Sequence, residues 1–321
     1  MRLNDYLYKK EKIMQLLKLI VFICLLSGCD MFAPQKSMNV IQEKIDATGL
    51  SVQIGIPSKK IISSSSGITE SLYALGVGEY IIAVTDDCSH LPQSKGKERI
   101  GSKENILLKK IIQLSPELVL SNDGDMTDET ITNLRDMGIT VFVLKKCISP
   151  QDVAENFRVL GTITGKQNVA EMNIADADKK IEGVAERIKG NPRPKVFWEV
   201  SAKPLTTVGA GSFAGTIIRL SGGENIVRGK TKFPFYSVPA VIKNNPDVII
   251  LSNVPDEEKL RWKQIESITA SQNNRIYSID PNLMNASTPL ALAEAVEKVS
   301  MLLYPVVGGI TTLEIKQEVF L

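Results

Sequence analysis

Histidine is almost absent from this sequence, because His90 is the only one among 321 residues. Zinc and manganese sites in proteins usually take two or three imidazole ligands, so a metal site built from histidine is not expected. A Ser-His-Asp or Cys-His mechanism would have to use this one residue. The sequence also lacks a G-x-S-x-G elbow and a P-loop. These absences argue against an enzyme and against a resident metal or cofactor.

An excess of one charge is also missing. The chain has 38 Lys and Arg residues against 36 Asp and Glu residues, without a long run of either sign, so nothing indicates a nucleic-acid partner. No apolar stretch reaches the roughly 20 residues that span a bilayer. The remaining composition, 43% hydrophobic and 23% charged, is that of an ordinary globular protein. Its length is sufficient for two domains.

The chain begins with a short apolar stretch, LLKLIVFICLLSGCD at 16–30, behind a lysine-rich lead. A basic lead, a short apolar core and a small-residue exit are typical of an export signal. Leu26-Ser27-Gly28-Cys29 resembles a bacterial lipobox, which implies that residues 1–28 are removed and that Cys29 carries a lipid. Asp30 then resembles a retention signal for the inner membrane of a Gram-negative cell. An ordinary signal peptide is the alternative.

Two further cysteines, Cys88 and Cys147, remain in the exported part of the chain. Both follow predicted strands of the same domain, and an extracellular location permits a disulfide between them. Two separate free thiols are the equal alternative, because the sequence does not supply the distance between their Cα atoms.

A repeated phrase is the most informative feature. NILLKKIIQLSPELVLSN at 105–122 is echoed by SVPAVIKNNPDVIILSN at 237–253. In each, a short helix ends at Ser-Pro or Asn-Pro, an acidic residue follows, and an all-apolar segment predicts a strand buried on both faces. Earlier in each half, a helix that closes on glycine precedes another strand. The two halves are therefore predicted to share one α/β plan.

The pattern predicts strands and helices in alternation on both sides of a long helix. Strands are expected near 60–64, 80–85, 117–121, 139–144, 195–200, 247–252 and 275–279, and a final helix near 289–304. Between the halves, residues 166–189 contain no proline and place Val169, Met172, Ile181, Val184, Ala185 and Ile188 at helical spacing. Such a helix is about 36 Å long and forms a stiff connection.

The predicted fold class is α/β, with two Rossmann-like lobes joined by a single long α-helix. The segments follow in chain order: signal peptide 1–28, tether 29–57, N-terminal lobe 58–165, interlobe helix 166–190, C-terminal lobe 191–305 and tail 306–321.

Four phrases in this order resemble the class III periplasmic binding proteins, which serve ABC importers of cobalamin, haem and ferric siderophores. They are KKIISSSSGITESLYALGVGEYIIAVT, IIQLSPELVL, PLTTVGAGSFAGTIIRLSGGENIV and RIYSIDP. The resemblance implies a monomeric, lipid-anchored protein outside the cytoplasmic membrane, which captures cobalamin or another corrinoid and delivers it to a permease and ATPase complex. A ferric siderophore or haem is the alternative ligand. An adhesin or structural lipoprotein is disfavoured, because no long low-complexity stalk is present.

Ligands of parallel α/β sheets bind beyond the carboxyl ends of the strands, so loops that follow strands should line the cleft. His90 is also a candidate ligand of cobalt or haem iron, and Tyr236 of haem iron. Lysines such as Lys103 and Lys232 are candidates for holding an anionic siderophore. The candidate ligand-binding residues come from these loops and from the positions that the resemblance implies. They are Asp87, His90, Lys103, Asn122, Glu199, Leu205, Ser212, Phe233, Phe235, Tyr236 and Asn282.

Glu70 and Glu224 occupy matching places in the two halves, each beside a junction of helix and strand. The resemblance implies that these two glutamates dock onto arginines of the permease, one from each lobe. Charge-assisted contacts between carboxylates and guanidinium groups would orient the complex. Two solvated surface glutamates are the alternative.

GAGSFA at 209–214 matches the dinucleotide pattern G-x-G-x-x-A at the start of a helix. It lies deep in the chain and does not follow the first strand of a βαβ unit. The amino end of a helix that faces the cleft is the simpler interpretation.

Overall fold

The computed structural model describes residues 40–305. The expected signal peptide, the lipidation site Cys29 and the tail 306–321 lie outside the described residues. Among the helices of the described part, none is long and apolar enough to cross a membrane.

The described chain begins with an antiparallel hairpin of β1 (Val40–Ile45) and β2 (Ser51–Ile56). Ile54 and Ile56 alternate with more exposed residues and belong to the core of the N-terminal lobe. The expected tether 29–57 is therefore wrong for residues 40–56. In Ser51–Ile56 the apolar residues recur at every second position, which is the ordinary pattern of a β-strand.

The N-terminal lobe contains a five-stranded parallel sheet in the order β5-β4-β3-β8-β9. Its strands, together with the small antiparallel pair β6 and β7, are β3 (Ile61–Ser63), β4 (Ile81–Val84), β5 (Glu98–Arg99), β6 (Gly101–Ser102), β7 (Asn105–Ile106), β8 (Leu118–Asn122) and β9 (Val141–Leu144). Its helices are α1 (Ser66–Ala74), α2 (Leu108–Leu114), α3 (Asp128–Asp136) and α4 (Pro150–Ile163). Apolar residues pack on both faces of this sheet, as expected for parallel strands.

The expected connecting helix is present as α5 (Gln167–Ile188), an unbroken helix of 22 residues. Its length is about 33 Å at 1.5 Å per residue. Ala170, Ile174, Ala177 and Val184 form its buried face. Met172 was expected on that face but lies off the stripe that these four residues form, and it is 67% exposed.

The C-terminal lobe is built on a second sheet in the order β11-β10-β13-β14, with β12 also paired to β10. Its strands are β10 (Lys195–Ala202), β11 (Leu205–Thr207), β12 (Glu224–Asn225), β13 (Val248–Leu251) and β14 (Ile276–Ser278). Its helices are α6 (Phe213–Leu220), α7 (Val238–Asn244), α8 (Asp256–Lys263), α9 (Thr269–Gln272) and α10 (Pro289–Leu303). Only β11 is antiparallel to its neighbour. The helix α5 packs against α4 of the first lobe and α10 of the second.

The two sheets share one topology. The order β4-β3-β8-β9 in the first lobe corresponds to β12-β10-β13-β14 in the second, with the first strand of each lobe lying inside the sheet. In both lobes a short helix ends at a left-handed residue before proline, at Ser115 with φ 45° and at Asn245 with φ 44°. The two halves therefore share the order of their strands, as the repeated phrase in the sequence predicts.

The acidic residue of each repeated phrase has a structural role. Glu117 Oε2 accepts a hydrogen bond of 2.6 Å from the backbone N–H of Lys59, just before β3. Asp247 Oδ2 accepts one of 2.7 Å from the N–H of Lys195, the first residue of β10. Each carboxylate therefore ties the strand that follows it, β8 or β13, to the start of the parallel strand beside it, β3 or β10.

Candidate ligand-binding cleft

A cavity of about 490 Å³ lies where the carboxyl ends of the N-terminal strands face the C-terminal lobe. Loops that follow β3, β8 and β9 supply most of its wall, as the rule for parallel sheets requires. The C-terminal lobe contributes Phe213 at the start of α6 and the segment that precedes α10. The lining residues that carry the argument below are Ser65, Lys103, Asn122, Asp125, Phe213 and Met284.

A polar network forms the N-terminal wall of this cavity. Lys103 Nζ lies 2.9 Å from Asp125 Oδ1. Asn122 Nδ2 donates to Asp125 Oδ2 at 2.7 Å and lies 3.0 Å from Ser65 Oγ. Burial works against the charged form of Lys103, but the hydrogen bond and the charge of Asp125 prevail and raise its pKa. The cleft thus presents a fixed ammonium group and an oriented amide.

The opposite wall is less polar. Phe213, Met284 and Ala286 of the C-terminal lobe line the same cavity. Phe213 follows Ser212, whose Oγ accepts a hydrogen bond of 2.9 Å from Gly215 N and caps α6. A ligand in this cavity would meet hydrogen-bonding groups on one side and apolar side chains on the other.

A second cavity of about 420 Å³ adjoins the first and also lies between the lobes. Glu70, Asp87, His90 and Asn282 line it, with Glu294 of α10. The His90 ring nitrogen Nδ1 lies 2.7 Å from the carbonyl oxygen of Asp87. Burial raises the pKa of Glu70, although a hydrogen bond with Ser287 and the nearby His90 oppose this shift. Over residues 40–305, no group of three or more histidine, cysteine or acidic side chains is arranged to hold a metal ion.

Five of the eleven expected ligand-binding residues therefore lie on the two cavities: Asp87, His90, Lys103, Asn122 and Asn282. The other six do not line either cavity. Glu199 lies on β10 and is completely buried, and Leu205 and Tyr236 pack against the core of the C-terminal lobe. Ser212 serves as the helix cap described above. Phe233 and Phe235 are 51% and 75% exposed.

The reason for these differences is the direction of each side chain. Tyr236 packs its ring against Phe197, 5.9 Å between centroids, and its hydroxyl accepts a hydrogen bond from Asn244 Nδ2. The Glu199 carboxylate is bonded by Trp262 of α8. Loop position alone did not reveal these partners, because Phe197 lies on β10 and Trp262 on α8, each far in the sequence from the residue that it contacts.

The structure adds lining residues that the sequence interpretation missed. Ser65, Ser66 and Gly67 follow β3, while Lys146 and Cys147 follow β9. The same rule of strand ends would have found them, since both loops come directly after predicted strands.

The glycines of GAGSFA have a packing role. A Cβ on Gly209 would lie 1.9 Å from the carbonyl oxygen of Thr231, and one on Gly211 would lie 2.5 Å from that of Lys230. Close backbone approach to the 230–232 loop explains both residues. This contact favours the simpler interpretation of the motif over a nucleotide site.

The cysteines of the described chain are free thiols. Cys88 is buried in the N-terminal core beside Thr69 Oγ1 at 3.4 Å. Cys147 lines the first cavity, where its sulfur accepts a hydrogen bond from Asn156 Nδ2 at 3.2 Å. The disulfide alternative is therefore wrong in this structure, because the two thiols lie in separate environments with separate partners.

The two glutamates expected to dock are not equivalent. Glu224 is exposed and lies 3.4 Å from Arg228, which is itself largely exposed. Glu70 is half-buried and hydrogen-bonds Ser287 of the other lobe. In this structure α1 directs the Glu70 carboxylate toward the other lobe, and the docking role expected of Glu70 stays a prediction.

Two related parallel-sheet lobes, one connecting helix and cavities at the strand ends define a two-lobed binding protein. Residues 61–283 match the family described as periplasmic binding protein, and the chain belongs to that family. This confirms the resemblance and the fold class inferred from the sequence. The family is one of binding proteins and not of enzymes.

The chain is 28% identical over 304 residues to the ABC transporter substrate-binding lipoprotein YvrC of Bacillus subtilis, covering 89% of this chain and 95% of that protein. It is 25% identical over 245 residues to a vitamin B12-binding protein of Vibrio cholerae, covering 76% and 88% of the two chains. The crystal structure of the periplasmic vitamin B12 binding protein BtuF of Vibrio cholerae superposes with a TM-score of 0.66 at 25% identity, covering 77% and 97%. The periplasmic heme binding protein HutB of the same species has a TM-score of 0.69 at 22% identity, covering 77% and 100%, and shows the fold alone.

Proposed function

We propose that this protein is the substrate-binding component of an ABC importer and that it captures a corrinoid such as cobalamin between its lobes. The relatives named as vitamin B12-binding proteins support this proposal, since the match extends over three quarters of the chain. The permease and ATPase of the importer are the proposed partners, and the corrinoid is cargo.

The observation that carries the proposal is the two-sided chemistry of the larger cavity. A corrin ring has apolar faces, and its edge carries amide side chains. Phe213 and Met284 offer apolar contact for a ring face. Asn122, Ser65 and Asp123 offer donors and acceptors for amides at the other wall. Small movements of the lobes about α5 would complete enclosure.

A ferric siderophore is the second candidate, and a specific observation favours it. Lys103 and Lys146 both line the larger cavity, and the pKa of Lys103 is raised. Ammonium groups in a partly enclosed site attract anionic chelates. The two candidates therefore differ in how strongly their binding depends on these lysines.

Delivery requires contact with the membrane complex. We assign this role to the exposed Glu224, whose contact with the exposed Arg228 can be exchanged for one with an arginine of the permease. A lipid on Cys29 would keep the protein at the outer face of the cytoplasmic membrane, and the similarity to a Bacillus subtilis protein named as a lipoprotein supports this. Neither the docking role of Glu224 nor the lipid anchor depends on which ligand the protein binds.

Isothermal titration calorimetry with cobalamin, cobinamide, haemin and a ferric hydroxamate siderophore tests the proposal. Tryptophan fluorescence is a poor reporter of direct contact, because Trp198 and Trp262 are both completely buried. Saturable heat with cobalamin or cobinamide is the expected result. Saturable heat with only the siderophore or haemin would overturn the corrinoid assignment, and turnover of any ligand would overturn the binding-protein assignment.

A further inference from the structure

Ser287 brings the C-terminal lobe into contact with the N-terminal lobe across the cleft. It directly precedes Thr288, whose Oγ1 accepts a hydrogen bond of 3.1 Å from Ala291 N and caps α10. Because α10 packs along the connecting helix α5, the position of Ser287 is set by a rigid part of the fold.

Three residues on one face of α1 surround Ser287. Gly67, Glu70 and Ser71 have the spacing i, i+3 and i+4, which places them side by side on a helix. Ser71 Oγ lies 3.1 Å from the carbonyl oxygen of Ser287, and the Ser287 side chain hydrogen-bonds the Glu70 carboxylate. A Cβ on Gly67 would lie only 2.8 Å from Ser287 Oγ, so glycine permits the close approach.

This contact separates the two cavities. Ser66, Ala286 and Ser287 line both of them. Ser71 lines only the larger cavity, and Glu70 lines only the smaller one. The start of α1 and the segment before α10 therefore form a partition within the interlobe groove.

The partition affects ligand binding because it limits the volume that is open to one ligand. The two cavities measure about 490 Å³ and 420 Å³. Both volumes lie in the lower half of the ~300–1,000 Å³ range of ligand pockets, and a corrinoid, which is larger than most drug-sized ligands, needs space at the upper end of that range. Neither compartment alone accommodates such a ligand, whereas the joined groove has about twice the space of either.

We propose that the contact of Ser287 with Gly67, Glu70 and Ser71 is an interlobe latch, and that these residues determine which ligands enter by size. A bulky ligand binds only when the latch is open, while a small one could occupy a single compartment. This inference rests on the proposed binding function, but the latch itself is a property of the free protein.

Two variants change the latch in different ways. Gly67→Ala places a methyl group against Ser287 Oγ, and Ser287→Ala removes the hydroxyl that Glu70 binds. Gly183→Ala is the matched control, since a Cβ on this glycine of α5 meets nothing within 4 Å. Dyes attached through non-canonical amino acids at Glu129 and Glu257, exposed residues of α3 and α8, report the distance between the lobes.

The measurement uses the full chain in detergent, first without any ligand. Both latch variants should show a longer mean dye distance than the wild type, and the control should not. Loss of one hydrogen bond should raise the open population about three- to tenfold. The association rate of cobinamide, followed by stopped-flow absorbance, should rise by the same factor, because only the open form binds it.

Unchanged dye distances in Ser287→Ala overturn the latch, even if Gly67→Ala fails to fold. Longer distances with an unchanged cobinamide rate overturn its role in ligand entry. The distance measurement needs no ligand, so its outcome is independent of whether the protein binds corrinoids at all. Failure of cobinamide to bind would count against the proposed function and not against the latch.

Discussion

The indole Nε1 of Trp262 donates a hydrogen bond of 2.5 Å to the carboxylate of Glu199, whose side chain is completely buried. Arg261 Nη2 lies 3.3 Å from both carboxylate oxygens and 2.5 Å from Glu258. Burial is the largest influence and raises the pKa of Glu199 from 4.5 to about 7, against the effects of Trp262 and Arg261. This carboxyl group therefore affects the stability of the C-terminal lobe.

We predict a pH-dependent stability that originates from Glu199. Because its pKa is raised in the folded state, the folded protein holds a proton that the unfolded protein releases above pH 4.5. Its contribution is complete below that pH and is lost as the pH rises through about 7. Relative to Glu199→Gln, the wild type should lose at most about 3 kcal/mol of unfolding free energy over this interval.

Urea unfolding of both proteins at pH 4.5, 6 and 8 measures this difference. The exposed Glu266 provides a control through Glu266→Gln, which should follow the wild type at each pH. Parallel curves for the wild type and Glu199→Gln would contradict the assignment.

A second prediction concerns the two free thiols. Cys147 lines the larger cavity, while Cys88 is completely buried in the core. Burial raises the pKa of both thiols, so reaction with maleimide should be slow at neutral pH. Cys147 should nevertheless react first, and a saturating corrinoid should protect it.

Mass spectrometry of peptides from the labelled protein, taken over time, gives the two rates separately. Labelling of Cys147 at an equal rate with and without a bound corrinoid would place the ligand away from the larger cavity. A corrinoid that also slowed Cys88 would indicate general stabilisation of the fold instead.

The third prediction separates the two candidate ligands. Lys103→Ala removes one ammonium group from the cleft and leaves Asp125 without its ion-pair partner. The affinity for an anionic ferric siderophore should fall about ten- to a hundredfold, since a charge-assisted contact is worth about 1.5–3 kcal/mol. The affinity for cobinamide, which carries no phosphate, should change less than threefold or improve.

Calorimetry at 50 mM and 300 mM salt checks the electrostatic origin. A lysine contact to an anion should weaken with salt, because ions screen the attraction. Lys195→Ala is a suitable control, since this exposed lysine begins β10 and does not line either cavity.

The fourth prediction concerns delivery. Glu224→Arg should abolish ligand uptake by cells while leaving ligand affinity within about twofold, because the residue is exposed and lies outside both cavities. A transport assay with radiolabelled cobalamin, paired with calorimetry on the purified variant, separates the two effects. Glu266→Arg tests whether any added positive charge has the same result, and normal uptake by Glu224→Arg would exclude the docking role.

Much of the fold could be predicted from the sequence because the signals were local. The apolar runs of β8 and β13, and the prolines that end α2 and α7, indicate their structures without knowledge of distant residues. The long α5 is likewise encoded by an uninterrupted helical pattern. The hairpin of β1 and β2 was missed, although its alternation was visible, because it was interpreted as part of a tether.

The cleft was predicted less completely. The strand before a loop predicts where that loop lies, but it does not predict the direction of the side chains in the loop. Lys103 and Asn122 do line the cavity, as their positions after strands indicated. Glu199 does not, because Trp262 and Arg261 of α8 pack over the end of β10 and bind its carboxylate.

The sequence by itself determined two halves of one plan, their parallel strands and the stiff helix between them. Local periodicity and proline positions are sufficient for these features. Only the tertiary structure decided which carboxylates face the groove. Glu70 meets Ser287 across the lobes, whereas Glu199 is enclosed by α8, because the direction of a side chain depends on elements brought beside it by folding.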